Sequence, residues 1–177
     1  KLCHSLRIQY GFDAISLMPT NLYGPGDNYH PSTSHVMPAL ISRFSEATKN
    51  NLISVKCWGT GSPLREFMHV SDLAEAVVFA LEKWDPTSLD APIDENGQAL
   101  TFLNVGTGKD ISIKNLSDKI AKAVGFKGEI LWDSSKPDGT PKKQLNINRI
   151  LSMGWSPKIE LDAGITETVE SYKKEDL

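Results

Sequence analysis

Cysteine is nearly missing from this chain: Cys3 and Cys57 are the only two in 177 residues. Two cysteines cannot build a disulfide framework. Without a Cys-x-x-Cys or a Cys/His spacing they do not suggest zinc either, so no metal centre is expected. Long apolar runs are also missing. No stretch approaches the roughly 20 residues that a membrane helix needs, and the opening KLCHSLRIQYG lacks the apolar core of a secretory signal. A basic excess is missing too. Nineteen Lys and Arg against 22 Asp and Glu leave a net charge of −3, which argues against nucleic acid as the main partner. An anionic ligand would have to be met by a few well-placed cations. Glycine-rich phosphate fingerprints are absent: Gly-Thr-Gly occurs at 59–61 and 106–108, but neither triplet is a GxGxxG or a P-loop. No internal repeat or low-complexity segment is visible.

What remains is the composition of a soluble globular protein, with 40% hydrophobic and 23% charged residues. The length suits one domain, or a domain with a piece of another. A reducing, cytoplasmic setting is expected. The first residue is Lys, not Met.

Helical and strand-like segments alternate along the chain. Residues 1–10 read as the end of a helix stopped by Gly11. AISLM (14–18) reads as a short strand of a parallel sheet, buried on both faces. A long connection follows, and then a helix from about Ser34 to Lys49, with Pro38 tolerable in its first turn. ISVKCW (53–58) and REFMHV (65–70) read as extended. A helix from Asp72 to about Trp84 carries Asp72 and Glu75 as a capping pair. Residues 85–100 form a polar connection, expected to be the most mobile part. TFLNV (101–105) and EILW (129–132) read as strands. Between them Ser112 caps a helix with Ile113, Leu116, Ile120 and Val124 on one stripe, ended by Gly125. A last helix starts near Asp162 and carries an acidic and basic tail. The fold class is α/β.

In open α/β sheets ligands bind beyond the carboxyl ends of the strands. The segment PTNLYGPGDNYHPSTSHVMPAL (19–40) lies in such a place. Thr20 and Asn21 offer hydrogen bonds, and Tyr23-Gly24-Pro25-Gly26 forces a reversal. A purely structural turn is the competing reading. The length favours function, because structureless loops beyond about 12 residues are usually functional or disordered, and this one has many stiff prolines. His35 stands at the start of a helix, where bound anions are favoured, and a histidine there can exchange a proton near neutral pH. Capping or packing is the alternative for His35, and the expected role of His4, His30 and His69. Arg43, Arg65, Lys142 and Lys143 could meet a phosphate. Each could equally be a solvated surface charge.

Four stretches carry a resemblance: MPTNLYGPGDNYHPSTSHVMPALISRF, WGTGSPLREFMHVSDLAEA, LNVGTGKDISIKNLSDKIAKAVGFKG and DSSKPDGTPKKQLN. Together they resemble the GDP-L-fucose synthase family of extended short-chain dehydrogenase/reductases over nearly the whole chain. REFxHVxD marks only the superfamily, whereas NxxHPSxSHVxPALxxRF and KPDGTPxK are specific to the fucose enzymes. The resemblance implies a Rossmann domain holding NADP(H) and a smaller domain holding a GDP-sugar. It places Pro19, Thr20, Asn21 and Leu22 near the nicotinamide. It makes His35 the acid/base residue that works with a cysteine in 3,5-epimerisation of a 4-keto sugar, and that also approaches the cofactor. Arg43, Trp58, Arg65, Asp138 and Lys143 fall on positions near the GDP-sugar, with Trp58 able to stack on guanine or simply to pack.

The family's glycine-rich fingerprint, Ser-x-Cys segment and Tyr-x-x-x-Lys pair do not occur in these residues. Lys1 and Cys3 are no substitutes, since both belong to the opening helix. The chain is therefore expected to be the C-terminal portion of such an enzyme. Residues 1–30 would be a remnant of the Rossmann domain and 31–177 mainly the GDP-sugar domain, with some segments returning to the Rossmann sheet. Alone it is expected to be inactive and not to bind NADP(H), while the complete enzyme is expected to be a homodimer. The competing readings are another nucleotide-sugar epimerase/reductase, and a non-catalytic module that binds GDP-sugars or dimerises.

Overall fold

The computed structural model describes residues 1–175, so the last two residues of the tail lie outside it. Helix α1 (Leu2–Tyr10) ends where expected, at Gly11. There φ is +63°, a left-handed cap that glycine adopts without a Cβ penalty. Strand β1 (Ser16–Pro19) starts two residues later than the apolar run suggested and pairs in parallel with β5 (Phe102–Val105). It is not buried on both faces. β5 is its one strand neighbour among the described residues, and Met18 stays 52% exposed.

The connection after β1 is not a plain loop. Asn21–Tyr23 form a strand, β2, which is too short for its periodicity to be read. It exists because it pairs in parallel with β4 (Leu64–His69). β4 also pairs with two strands that the sequence did not announce, β6 (Asp110–Ser112), antiparallel, and β8 (Lys142–Lys143), parallel; both meet Leu64 and Arg65, so they lie on opposite edges of β4. A third small sheet joins β3 (Ser54–Trp58) to β7 (Glu129–Asp133) in parallel. The chain is thus α/β with mostly parallel pairing.

Helix α2 (Val36–Lys49) accepts Pro38 in its first turn. Helix α4 (Ile113–Val124) starts as expected: Ser112 Oγ accepts a hydrogen bond from the Asn115 N–H at 3.1 Å, and Gly125 closes the helix at φ +91°. Leu116, Ile120 and Val124 are buried against Met37, Leu40, Ile41 and Phe44 of α2 in one core, to which Ile165 and Val169 of α6 (Leu161–Glu175) belong. A second core lies beside β1 and β5. It joins Met68, Val105, Ala76 of α3 (Val70–Lys83), Ile150 of the short α5 (Asn148–Ser152), and Trp155.

The start of α3 corrects the sequence reading. Its cap is His69, whose Nδ1 accepts from the Ser71 N–H at 3.3 Å. Asp72 and Glu75 do not form a capping pair. The Asp72 carboxylate is buried and accepts the N–H groups of Lys158 and Ile159 at 3.0 and 3.1 Å, and Glu75 pairs with Lys158. A local motif lost to a partner about half a chain away, because a buried carboxylate needs donors wherever they can be found.

Candidate functional site

Strand alternation along β4 creates the arrangement of interest. Successive side chains of a strand point to opposite faces, so Arg65 reaches outward while Glu66 is buried at 0% exposure. Arg65 lines a cleft of about 240 Å³ together with Asn21, Trp58, Asp138 and Val36. Asn21, Trp58, Arg65 and Asp138, each expected at a ligand site, therefore line one cleft.

The cleft is bounded by the KPDGTP segment (136–141), which folds back over the end of β3. Asp138 fastens it: its carboxylate accepts from the Thr60 N–H at 2.9 Å and the Thr60 hydroxyl at 2.6 Å. Gly59 makes room for this contact. With φ +76° and a Cβ that would fall 2.3 Å from Asp138 Oδ1, it tolerates no side chain. Arg65 fastens the other end, with Nη1 donating to the carbonyls of Leu64 and Thr140 at 2.7 and 2.6 Å. Trp58 is 70% exposed, and Lys136 Nζ lies 5.9 Å from its ring centroid, within cation–π range. Asp133, the last residue of β7, has its carboxyl pulled down to about 2 by the Ser135 hydroxyl and by Lys56.

The bonds from the Thr60 hydroxyl and amide hold the Asp138 carboxyl below the usual carboxylate range. Because the folded value is depressed, the attachment is fully present above the ordinary carboxylate pKa of about 3.9 and is lost as the pH falls through the lowered one. A carbon-13 titration of Asp138 is expected to show a midpoint below the ordinary value. Thr60→Val should return it upward, and an identical midpoint in that variant would mean that the Thr60 hydroxyl does not hold the KPDGTP segment.

His35 occupies the N-cap of α2, one residue before Val36 of the cleft wall. It is exposed and makes no side-chain capping bond. Lys143 is opposite Arg65 in the β4–β8 register and is exposed. Arg43 is not on the cleft wall: its Nη1 donates to the Lys56 carbonyl at 3.1 Å. It also faces Cys57, whose thiol burial pushes up against the pull of that guanidinium. At the end of β1, Pro19 is exposed and Leu22 packs into the second core. Thr20 Oγ1 and Asn21 Nδ2 both donate to the Glu66 carbonyl, at 3.2 and 2.7 Å. Of this group only Asn21 reaches the cleft. Of the remaining histidines, His30 contacts the nearby Ser32, and His4 lies 3.5 Å from the distant Thr101.

The residue that sequence reasoning missed is Glu66. Its Oε1 accepts the N–H groups of Thr107 and Gly108 at 2.5 and 2.9 Å, and its Oε2 accepts that of Leu145 at 2.9 Å. Both Gly-Thr-Gly triplets are thus anion cradles, but each already holds a carboxylate of the chain itself, Asp138 in the first and Glu66 in the second. The available signal was the repetition of the triplet together with an acidic residue in an apolar strand.

The α/β architecture with mostly parallel strand pairing defines the class of fold, and the cleft opens beside the carboxyl end of β3. Residues 1–90 match the NAD dependent epimerase/dehydratase family, and the chain belongs to that family. It is 51% identical over 172 residues to a probable GDP-L-fucose synthase 1 of Oryza sativa subsp. japonica, covering 97% of this chain and 48% of that protein. It is 48% identical to the GDP-L-fucose synthase of Escherichia coli (strain K12), covering 97% and 52%. Its fold matches a GDP-mannoheptose C4 reductase from Campylobacter jejuni with NADP bound, at a TM-score of 0.79 and 33% identity, covering 97% of this chain and 56% of that one. The chain spans about half the length of the curated relatives it matches. No helix among the described residues is long and apolar enough to cross a membrane.

Proposed function

We propose that these residues form the GDP-sugar-binding part of a GDP-L-fucose synthase, which converts GDP-4-keto-6-deoxy-D-mannose to GDP-L-fucose by 3,5-epimerisation and NADPH-dependent 4-reduction. The observation that carries the reading is the convergence of Trp58, Arg65, Asp138 and Asn21 on one cleft, alongside relatives of that name at about half identity. The exposed indole of Trp58 is a stacking surface for guanine. Arg65 and Lys143 are the cations for the diphosphate. The Asp138 carboxylate is an acceptor for hydroxyl or ring N–H groups of the nucleoside. His35, at the rim, is the acid/base. A ketone at C4 acidifies the C–H bonds at C3 and C5, so a base on one face and an acid on the other invert each centre through an enolate.

The residues at the end of β1 fit one wall of a nicotinamide site and no more. Pro19 presents an exposed apolar face and Asn21 reaches the cleft, whereas the Thr20 and Asn21 donors are already held by Glu66. When bound, the cofactor supplies hydride to C4. With no GxGxxG and no Tyr-x-x-x-Lys in these residues, the reading assigns 1–30 to the cofactor domain's last elements and 31–177 mainly to the sugar domain. It also assigns a homodimer to the complete enzyme and a cytoplasmic setting.

Calorimetric titration of the 177-residue chain with GDP and with NADPH tests this. GDP is expected to bind and NADPH not to. Absence of GDP binding would overturn the assignment of a self-sufficient sugar-nucleotide site to this chain.

A further inference from the structure

We infer that Glu66 is a positioning residue for two residues that line the cleft, Asn21 and Arg65, acting through the hydrogen bonds of its own carbonyl and of its buried carboxylate. The part of this inference that concerns ligand affinity rests on the GDP-sugar reading above.

A fully buried carboxylate is costly unless its oxygens are saturated with donors. Glu66 is fully buried, and its donors are backbone N–H groups from two separate segments: Thr107 and Gly108 on Oε1, and Leu145 on Oε2. The Thr107 hydroxyl adds a longer contact to Oε1 at 3.4 Å. The backbone carbonyl of Glu66 binds a third segment through Thr20 and Asn21. One residue therefore ties together the end of β1, the turn after β5 and the chain leaving β8.

Two routes lead from it to the cleft. The first is short: Asn21, which lines the cleft, donates its side-chain amide to the Glu66 backbone carbonyl at 2.7 Å, and the bonds to the buried carboxylate fix where that carbonyl stands. The second runs through the KPDGTP segment and β8. Leu145, held by Oε2, follows β8, where Lys143 lies opposite Arg65. Thr140, just before β8, gives its carbonyl to Arg65 Nη1. Releasing Leu145 would let β8 and Thr140 shift, and the guanidinium would follow. Burial alone would not require a carboxylate in this place, since an apolar side chain would fill the same volume without such a linkage.

The test is Glu66→Gln in the 177-residue chain. The amide keeps one acceptor oxygen but turns an NH2 group toward an N–H donor, so Leu145 or the Thr107–Gly108 pair loses its partner. Nitrogen-15 spectra are expected to show the Asn21 side-chain amide and the Arg65 guanidinium resonances moving, although neither touches the substituted atom. The Kd for GDP is expected to rise about tenfold at a temperature where circular dichroism shows both proteins fully folded, a change of the size of one lost charge-assisted hydrogen bond. A lower Tm with unmoved Asn21 and Arg65 resonances and an unchanged Kd would overturn the inference and leave Glu66 a purely structural residue. If the unsubstituted chain binds no GDP, the functional reading fails separately, and the resonances still decide whether Glu66 positions Asn21 and Arg65. Should Glu66→Gln not fold, Glu66→Asp keeps the charge, withdraws the carboxylate by one methylene and is judged on the same resonances.

Discussion

His35→Gln, placed in a polypeptide that joins these residues to a cofactor-binding half, is expected to abolish epimerisation while NADPH binding stays measurable. Glutamine keeps much of the size and hydrogen-bonding capacity of histidine but cannot exchange a proton near neutral pH, and a positioned acid/base contributes roughly 10²- to 10⁴-fold to rate. The fold should survive the change. His35 sits at the N-cap of α2 with extended backbone angles, φ −74° and ψ 171°, and its ring makes no capping bond that the substitution could remove. Exchange of deuterium from solvent into C3 and C5 of the keto sugar reports the epimerisation directly, and NADPH fluorescence reports the cofactor. Normal exchange in the variant would remove His35 from its proposed role.

The second large effect is on stability. Gly106→Ala is expected to destabilise the chain by about 3–5 kcal/mol, the range for stripping a buried charge of its partners. A Cβ at Gly106 would lie 2.2 Å from Glu66 Oε1 and 3.0 Å from its Cδ. The carboxylate could move aside only by leaving the Thr107 and Gly108 N–H groups, and it is buried at 0% exposure, where no water replaces them. Equilibrium urea unfolding of the two proteins measures the difference. A loss below about 1 kcal/mol, the net value of one ordinary hydrogen bond, would mean that the cradle is not what holds the carboxylate. Gly125→Ala makes the contrast: nothing lies within 4 Å of that position, and only the left-handed backbone resists the change.

Features set by a few neighbouring residues were readable in advance. Gly11 and Gly125 stop their helices by adopting positive φ, Ser112 caps α4 with its own hydroxyl, and Pro38 falls in the first turn of α2. The stripe Leu116, Ile120 and Val124 faced the core because helical periodicity alone decides which side an amphipathic helix buries. Features that depend on distant partners were not readable. Asp72 and Glu75 have capping spacing, yet Asp72 is claimed by backbone amides 86 and 87 residues away. Strands β2, β6 and β8 are two or three residues long, too short for any period, and they exist as partners of β4.

The candidate site divides in the same way. The residue types were legible: a tryptophan, an arginine after a Gly-Thr-Gly turn, an aspartate in a Pro-Asp-Gly turn and a histidine at a helix start. Their convergence was not, and neither was the place of Arg43, which bonds to the Lys56 carbonyl and does not line this cleft. The sequence by itself determined the α/β alternation, the glycine stops of α1 and α4, the Ser112 cap and the chemical groups available, because each rests on backbone geometry and side-chain chemistry within one or two turns. Only the tertiary structure decided which groups share a cleft and which carboxylates fill the two Gly-Thr-Gly cradles. A buried charge takes its donors from whatever backbone the fold brings near, and no local rule ties Glu66 to Leu145 across 79 residues.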